Sequence, residues 1–193
     1  PINQYAASKR EAERLVTSSK IPHVVLRPRA LIGRGDTVIL PRVLRAHAEG
    51  RLRQMGSGMN KVDMTPVANV VDAIVLGLNA EGEALNQVYN ISNGEPEELW
   101  PMLNGVLKKL SLAPISKSVS LPVVLAVARA MEWHARLFNG HREPALTVYG
   151  VGTLAMDFSM DITKAREWLG YVPRQSVEEA LDEFVAWHVN RNT

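Results

Sequence analysis

Apolar positions recur with a helical period over residues 3–19. There Ala12, Leu15 and Val16 form a narrow stripe, and Arg10, Glu11, Glu13 and Arg14 face the other way. Residues 21–26 break that period. They form a β-branched run, apolar at successive rather than alternate positions and stopped at Pro28, as expected of a strand covered on both faces of a parallel sheet. Pro22 sits at its start, where a strand tolerates proline. A turn-rich loop, Gly33-Arg34-Gly35-Asp36, leads to a predicted helix over 39–48, closed by Gly50. Residues 70–78 predict an apolar helix with Asn69 as N-cap, and 87–91 a second buried strand. The rest is mainly helical, at 97–110, 122–138, 162–169 and 177–190. Asp161 and Ser176 are read as caps, and Ser176 with Glu179 has capping-box spacing. Short extended pieces are predicted at 117–120 and 155–160.

Two strands around a helical stretch, followed by many helices, make too little sheet for an independent doubly wound fold. The pattern is that of the tail of an α/β protein whose opening strands lie upstream. Hydrophobic residues at 46% and charged residues at 22% of 193 are ordinary globular values, which excludes disorder. The net charge of +2 is too small to argue for nucleic acid, although the pI is near 9.1. Arg42, Arg45, Arg51 and Arg53 cluster, but no aromatic platform accompanies them. The absence of cysteine excludes disulfides and thiolate metal sites. No segment resembles a signal peptide, and the longest apolar run, 121–128, is far short of the ~20 residues that span a bilayer. A soluble, cytoplasmic protein with a small-molecule substrate and no integral membrane segment is expected.

Tyr5 and Lys9 stand four residues apart near the start of the first helix, so both side chains project from one face. A phenol is a poor acid or base at neutral pH, and an ammonium group within a few ångströms favours the phenolate. Such a tyrosine can exchange a proton with a substrate hydroxyl or carbonyl.

The stretch Tyr5-Ala6-Ala7-Ser8-Lys9-Arg10-Glu11-Ala12-Glu13 resembles the active-site helix of extended short-chain dehydrogenases/reductases. Val25-Leu26-Arg27-Pro28-Arg29-Ala30-Leu31-Ile32-Gly33-Arg34-Gly35-Asp36 is similar to the strand and loop that follow it in that family. Asp63-Met64-Thr65-Pro66-Val67-Ala68-Asn69-Val70-Val71-Asp72-Ala73 is similar to the return into the sheet, and Tyr89-Asn90-Ile91-Ser92 to the last strand. Glu143-Pro144-Ala145-Leu146-Thr147-Val148-Tyr149 resembles the closing segments of the 3β-hydroxysteroid dehydrogenase-like group. The later Asp161-Ile162-Thr163-Lys164-Ala165-Arg166 and Leu169-Gly170-Tyr171-Val172-Pro173 are shared with nucleotide-sugar epimerases.

The resemblance implies the C-terminal part of a Rossmann-type α/β fold with a mostly helical substrate-binding region and its first βαβ units absent. Residues 1–36 and 66–92 would be the remnant of the dinucleotide-binding domain, and 37–65 and 93–193 the substrate-binding region. It implies NAD or NADP as cofactor, Tyr5 as acid/base, and Lys9 as the group that favours the phenolate and bonds the nicotinamide ribose. Pro28, Arg29, Ala30 and Leu31 would line the nicotinamide end. The implied activity is oxidation or reduction at a CH–OH or ketone group of a sterol-like or other hydrophobic substrate. A nucleotide-sugar epimerase or dehydratase with retained NAD, and a non-catalytic binding remnant, are the alternatives.

The chain departs from the family in two ways. No G-x-x-G-x-x-G fingerprint occurs, and no catalytic serine or threonine precedes Tyr5. The chain alone is therefore expected to be inactive, and to associate with itself through strand edges left without neighbours.

The Gly33–Asp36 loop reads either as a turn or as a phosphate cradle. Asp72, in the first turn of its helix, suits the dipole. His134, His141 and Glu143 have metal-ligand chemistry at a spacing that fits no metal site, so no metal is expected. In 121–138, Arg129, Glu132 and Arg136 define a polar stripe opposite Leu121, Val124, Leu125, Ala128 and Met131. That helix could pack on the substrate domain, wall a greasy site, or rest on a membrane.

Overall fold

The structure, a computed structural model, describes residues 4–138 and 144–192. Helix α1 (Gln4–Thr17) turns back through residues 18–23 into strand β1 (Val24–Pro28), followed by β2 (Leu31–Ile32) and α2 (Ile39–Ala48). Short strands β3 (Gln54–Met55), β4 (Lys61–Val62) and β5 (Thr65–Pro66) lead into α3 (Val67–Leu78), then β6 (Gln87–Ile91) and β7 (Glu97–Glu98). The remainder is α4 (Leu99–Lys109), β8 (Ser118–Val119), α5 (Leu121–Phe138), α6 (Val148–Ala155), α7 (Thr163–Leu169) and α8 (Val177–Asn192).

β1 and β6 pair in parallel, Val24 opposite Gln87 through Pro28 opposite Ile91. Beyond Pro28 the chain continues into a second parallel pair, β2 with β5. β3 pairs with β8 in parallel and β4 with β7 in antiparallel fashion. Helix α3, the crossover from β5 to β6, lays Val70 and Ala73 inward and brings Gly77 against Val24. Turn chemistry closes the elements. Gly170 at φ +68 ends α7 in the left-handed region, with the Tyr171 N–H bonded to the Ala165 carbonyl at 3.0 Å. Gly94, at φ +73 in the turn after β6, leaves no room for a Cβ, which would meet Ile162 Cδ1 at 2.6 Å.

The main core lies beneath β2 and β4, where Ile32, Leu40, Trp100, Leu103, Val177 and Phe184 meet. A second cluster gathers Tyr89, Ile91, Ile162 and Tyr171 around β6, and a third joins Val124, Ala128 and Val151 between α5 and α6.

Several local expectations are corrected. Residues 97–98 are strand, because they find β4; the helix starts at Leu99. Residues 148–155 form α6, a helix the pattern does not predict, while the expected extended piece at 155–160 is found just after it, where Phe158 bridges Val62. α3 begins at Val67, two residues before Asn69, whose side chain is buried rather than capping. Glu132 is not on a solvated stripe: its carboxylate accepts the Val148 N–H at 2.9 Å. Ala12, Leu15 and Val16 on α1 stay exposed, for α1 buries no residue in this chain. Asp36 resolves the loop at 33–36: its carboxylate accepts the N–H groups of Val38, Ile39 and Leu40 at 2.8–2.9 Å. The donors a phosphate would need are thus already taken, and the loop is a turn and helix cap.

Candidate functional site

α1 is tied to the sheet by Arg27 on β1, whose guanidinium bonds both carboxylate oxygens of Glu13, at 2.8 and 2.5 Å. That pairing holds the Glu13 carboxyl below the usual carboxylate range and raises Arg27. It also sets the level of everything above it. Because α1 returns directly into β1, its N-terminal end lies toward the strand's C-terminal end. Tyr5, eight residues before Glu13, is about 12 Å further up at 1.5 Å per residue. Residues 28–31 climb about 3–13 Å beyond Arg27 at ~3.3 Å per residue. Tyr5 and the segment after Pro28 therefore stand at the same end of the sheet, outside the carboxyl ends of parallel strands, where open α/β sheets bind ligands.

Tyr5 and Lys9 do share a face, with Lys9 Nζ 5.8 Å from the centroid of the Tyr5 ring. Both are exposed, as are Pro28 and Leu31, whereas Arg29 and Ala30 are half-buried. Thr65 fixes the segment after Pro28: its N–H donates to the Ala30 carbonyl at 3.1 Å and its hydroxyl to the Arg29 carbonyl. Ala30 is held at φ +46, uncommon for a residue with a Cβ. The outcome is a rigid, open backbone edge beside a phenol and an ammonium group. These groups fit the nicotinamide and ribose end of a dinucleotide. The glycine-containing turn that joins β2 to α2 has its helix N–H groups taken by Asp36, and among the described residues no G-x-x-G-x-x-G turn accompanies Tyr5 and Lys9 to take a pyrophosphate.

Unpartnered buried polar atoms gather nearby: Arg29 Nη1, both amide atoms of Asn60, and Asp63 Oδ1. The Arg29 guanidinium stacks over Phe158, 3.3 Å from the ring centroid. Burial holds its pKa below the ordinary arginine value, with Tyr149 and Asp63 opposing. Arg29 was legible as part of the nicotinamide-lining segment. Its side chain's aim was not, because Phe158 lies 129 positions along the chain.

Among the described residues no His, Asp and Glu side chains are grouped to hold a metal ion, and no helix is long and apolar enough to cross a membrane. His141 and Glu143 lie outside the described residues. On α5, Val124 and Ala128 pack against Val151 of α6, so this face is helix packing; Val123, Val127, Trp133 and Phe138 are exposed.

Comparison with known proteins agrees with this geometry. Residues 1–92 match the NAD dependent epimerase/dehydratase family. The resemblance to extended short-chain dehydrogenases/reductases is thereby borne out, with NAD or NADP as the cofactor type of the proteins it matches. Over 96% of its length the chain is 34% identical to the uncharacterized protein YbjS of Escherichia coli, of which it covers 57%. It is 34% identical over 92% of its length to a 2-alkyl-3-oxoalkanoate reductase of Stenotrophomonas maltophilia, covering 56%. It is 28% identical over 97% to the sterol-4-alpha-carboxylate 3-dehydrogenase, decarboxylating, of Saccharomyces cerevisiae, covering 57%. The chain thus spans about half the length of the curated relatives it matches. Among solved structures, the UDP-glucuronic acid 4-epimerase from Bacillus cereus in complex with NAD superposes with a TM-score of 0.69 at 18% identity. That match covers 100% of this chain and 54% of the epimerase, and establishes the Rossmann-type fold.

Proposed function

We propose that these residues form the C-terminal half of an NAD(P)-dependent oxidoreductase acting on the CH–OH or ketone group of a hydrophobic substrate. The observation that carries the proposal is the one-face placement of Tyr5 and Lys9 level with the rigid backbone of residues 28–31. The 2-alkyl-3-oxoalkanoate reductase and the sterol-4-alpha-carboxylate dehydrogenase support it. By their names both act on hydrophobic molecules with a carboxyl on the carbon next to the reacting one. A hydrophobic 3-hydroxy or 3-oxo acid is the substrate class we carry to this chain.

A nicotinamide held beside residues 28–31 would supply or accept the hydride exchanged at the substrate's carbinol or ketone carbon. Tyr5 gives its phenolic proton to the carbonyl oxygen in reduction and, as phenolate, takes the hydroxyl proton in oxidation. Lys9, on the same face, would hold the ribose hydroxyls. Residues 1–36 and 66–92 would carry the cofactor side, and 37–65 with 93–193 the substrate side. The pyrophosphate would be held by a segment outside this sequence, so the chain alone would be inactive.

Tyr5→Phe in the full-length protein tests this. Turnover of a 3-hydroxy acid should fall about 10²–10⁴-fold with the fold intact. Activity within a few-fold of the parent would remove Tyr5 from the chemistry. Turnover of a nucleotide sugar with no release of reduced cofactor would point instead to an epimerase or dehydratase.

A further inference from the structure

Where β1 ends, the chain holds a cation that forms no ion pair among the described residues. Arg29 is pinned through its carbonyl by the Thr65 hydroxyl, and its side chain is laid over Phe158. Nη1 is buried without a hydrogen-bond partner. Two groups act on the charge from nearby. Asp63, wholly buried, accepts the Met160 N–H on Oδ2 at 2.5 Å and leaves Oδ1 unpartnered; Tyr149, on α6, is half exposed. Neither is in ion-pair contact with Arg29. An arginine stays charged at any physiological pH, so burial cannot relieve the cost by neutralising it. Stacking on an aromatic ring recovers only part of the lost hydration. A desolvated fork of N–H donors held in the crevice at the sheet's carboxyl end is suited to a planar anion arriving with the substrate.

We propose that Arg29 anchors the substrate carboxylate, and thereby selects acids over neutral analogues. This rests on the oxidoreductase reading above. The distance logic is internal to the fold. By the same rises residue 29 stands about 7 Å beyond Arg27 and Tyr5 about 12 Å beyond Glu13, so the two differ by about 5 Å in level, a span that a carboxyl on the carbon adjacent to the reacting one and an arginine side chain can bridge together.

The test uses the full-length protein, NAD and NADP, a long-chain 2-alkyl-3-hydroxy acid, its methyl ester, and a 3-hydroxysteroid without a carboxyl. The readout is the ratio of kcat/KM for acid over ester, since the backbone of this segment also lines the cofactor. The parent should prefer the acid, and Arg29→Gln should lower that preference about 10- to 100-fold. Arg29→Lys keeps the charge but not the planar fork, so its preference should fall only a few-fold. It carries the test should the glutamine variant not fold. A parent with no preference, or acid and ester falling together in a folded variant, would overturn the assignment and leave the oxidoreductase reading standing. A parent that oxidises none of the three alcohols would overturn both.

Discussion

Asn69 offers the sharpest separation between a local and a tertiary account of one residue. Its Oδ1 accepts the N–H groups of Arg174 and Gln175, each at 3.0 Å. Its Nδ2 donates to the Gln175 carbonyl at 2.8 Å and to Asn93 Oδ1 at 3.0 Å. Backbone donors on one side and a backbone acceptor on the other fix the amide's orientation, and the residue is wholly buried. Asn69→Asp keeps both accepted bonds but turns an oxygen toward the Gln175 carbonyl. Asn93 can rotate its amide to donate; a backbone carbonyl cannot. The loss of one bond plus a facing pair of oxygens in a buried place should cost about 2–4 kcal/mol at pH 8. Asn69→Ala, losing four bonds at about 1 kcal/mol each, should cost about 4 kcal/mol.

Urea unfolding of parent and variants at pH 8 and pH 5 measures this. Proton linkage gives the sign. A carboxyl disfavoured as an anion has a raised pKa in the folded state. Its protonated form, which can donate to Gln175, is therefore the tolerated one. The aspartate deficit should shrink at pH 5 and grow as pH rises through the folded-state pKa. A helix cap predicts the opposite, because aspartate caps as well as asparagine. An Asn69→Asp variant within about 0.5 kcal/mol of the parent at pH 8 would refute the network as the reason for this residue.

Burial, and then the Asp72 carboxylate, push the Tyr171 hydroxyl up to about 12, while it donates to the Ser92 carbonyl at 3.1 Å. Its stabilisation is complete below pH 10 and should be lost between pH 10 and 12, about 2–3 kcal/mol in all; Tyr171→Phe should flatten that limb in alkaline denaturant titrations. Val124→Asp puts a carboxylate at the contact between α5 and α6 and should cost about 3 kcal/mol or more, whereas the same change at exposed Val123 should cost little; equal losses at the two sites would contradict this packing. The 193-residue chain alone should give no heat with NAD or NADP and should scatter light as an associated species; micromolar cofactor binding by a monodisperse monomer would sink the proposed location of the pyrophosphate site.

What could be read from the sequence is what neighbours along the chain decide. Helical periods marked α2, α3, α5, α7 and α8 to within a few residues, and the two β-branched runs became β1 and β6 in parallel. Ser176 and Glu179 exchange the bonds of a capping box as their spacing predicted. The misses all depend on a distant partner. α6 carries two glycines and a poor helix sequence; the Thr147 hydroxyl starts it locally, but the Glu132 carboxylate arrives from α5. Glu97 and Glu98 extend because β4 lies beside them, and Asn69 serves a segment more than a hundred residues away. In the candidate site, Tyr5 and Lys9 were legible because four residues on a helix define a face. The stack of Arg29 on Phe158 was not.

Burial is uneven across the molecule, and the unevenness bears on how much of a protein this fold represents. On the substrate side, Trp100, Phe184 and Leu40 are almost fully buried, so that core is closed by residues of this chain alone. On the sheet side the runs Val24-Val25-Leu26 and Val67-Val71-Ile74-Val75-Leu78 are as apolar as any core. Yet β1 is nowhere fully buried, and α3 shows that entire outer stripe to solvent. A strand of a parallel sheet is ordinarily covered on both faces and paired on both edges; among the described residues β1 and β6 pair only with each other, and β6 buries Tyr89 and Ile91 on one face whereas β1 buries no residue fully. Apolar faces of this size are usually covered by another part of the same protein or by a partner. Tyr5 and Lys9, for their part, are exposed and stand without a phosphate-binding turn among the described residues. One missing layer would account for both, which is why the proposed activity is assigned to the full-length protein rather than to these residues by themselves.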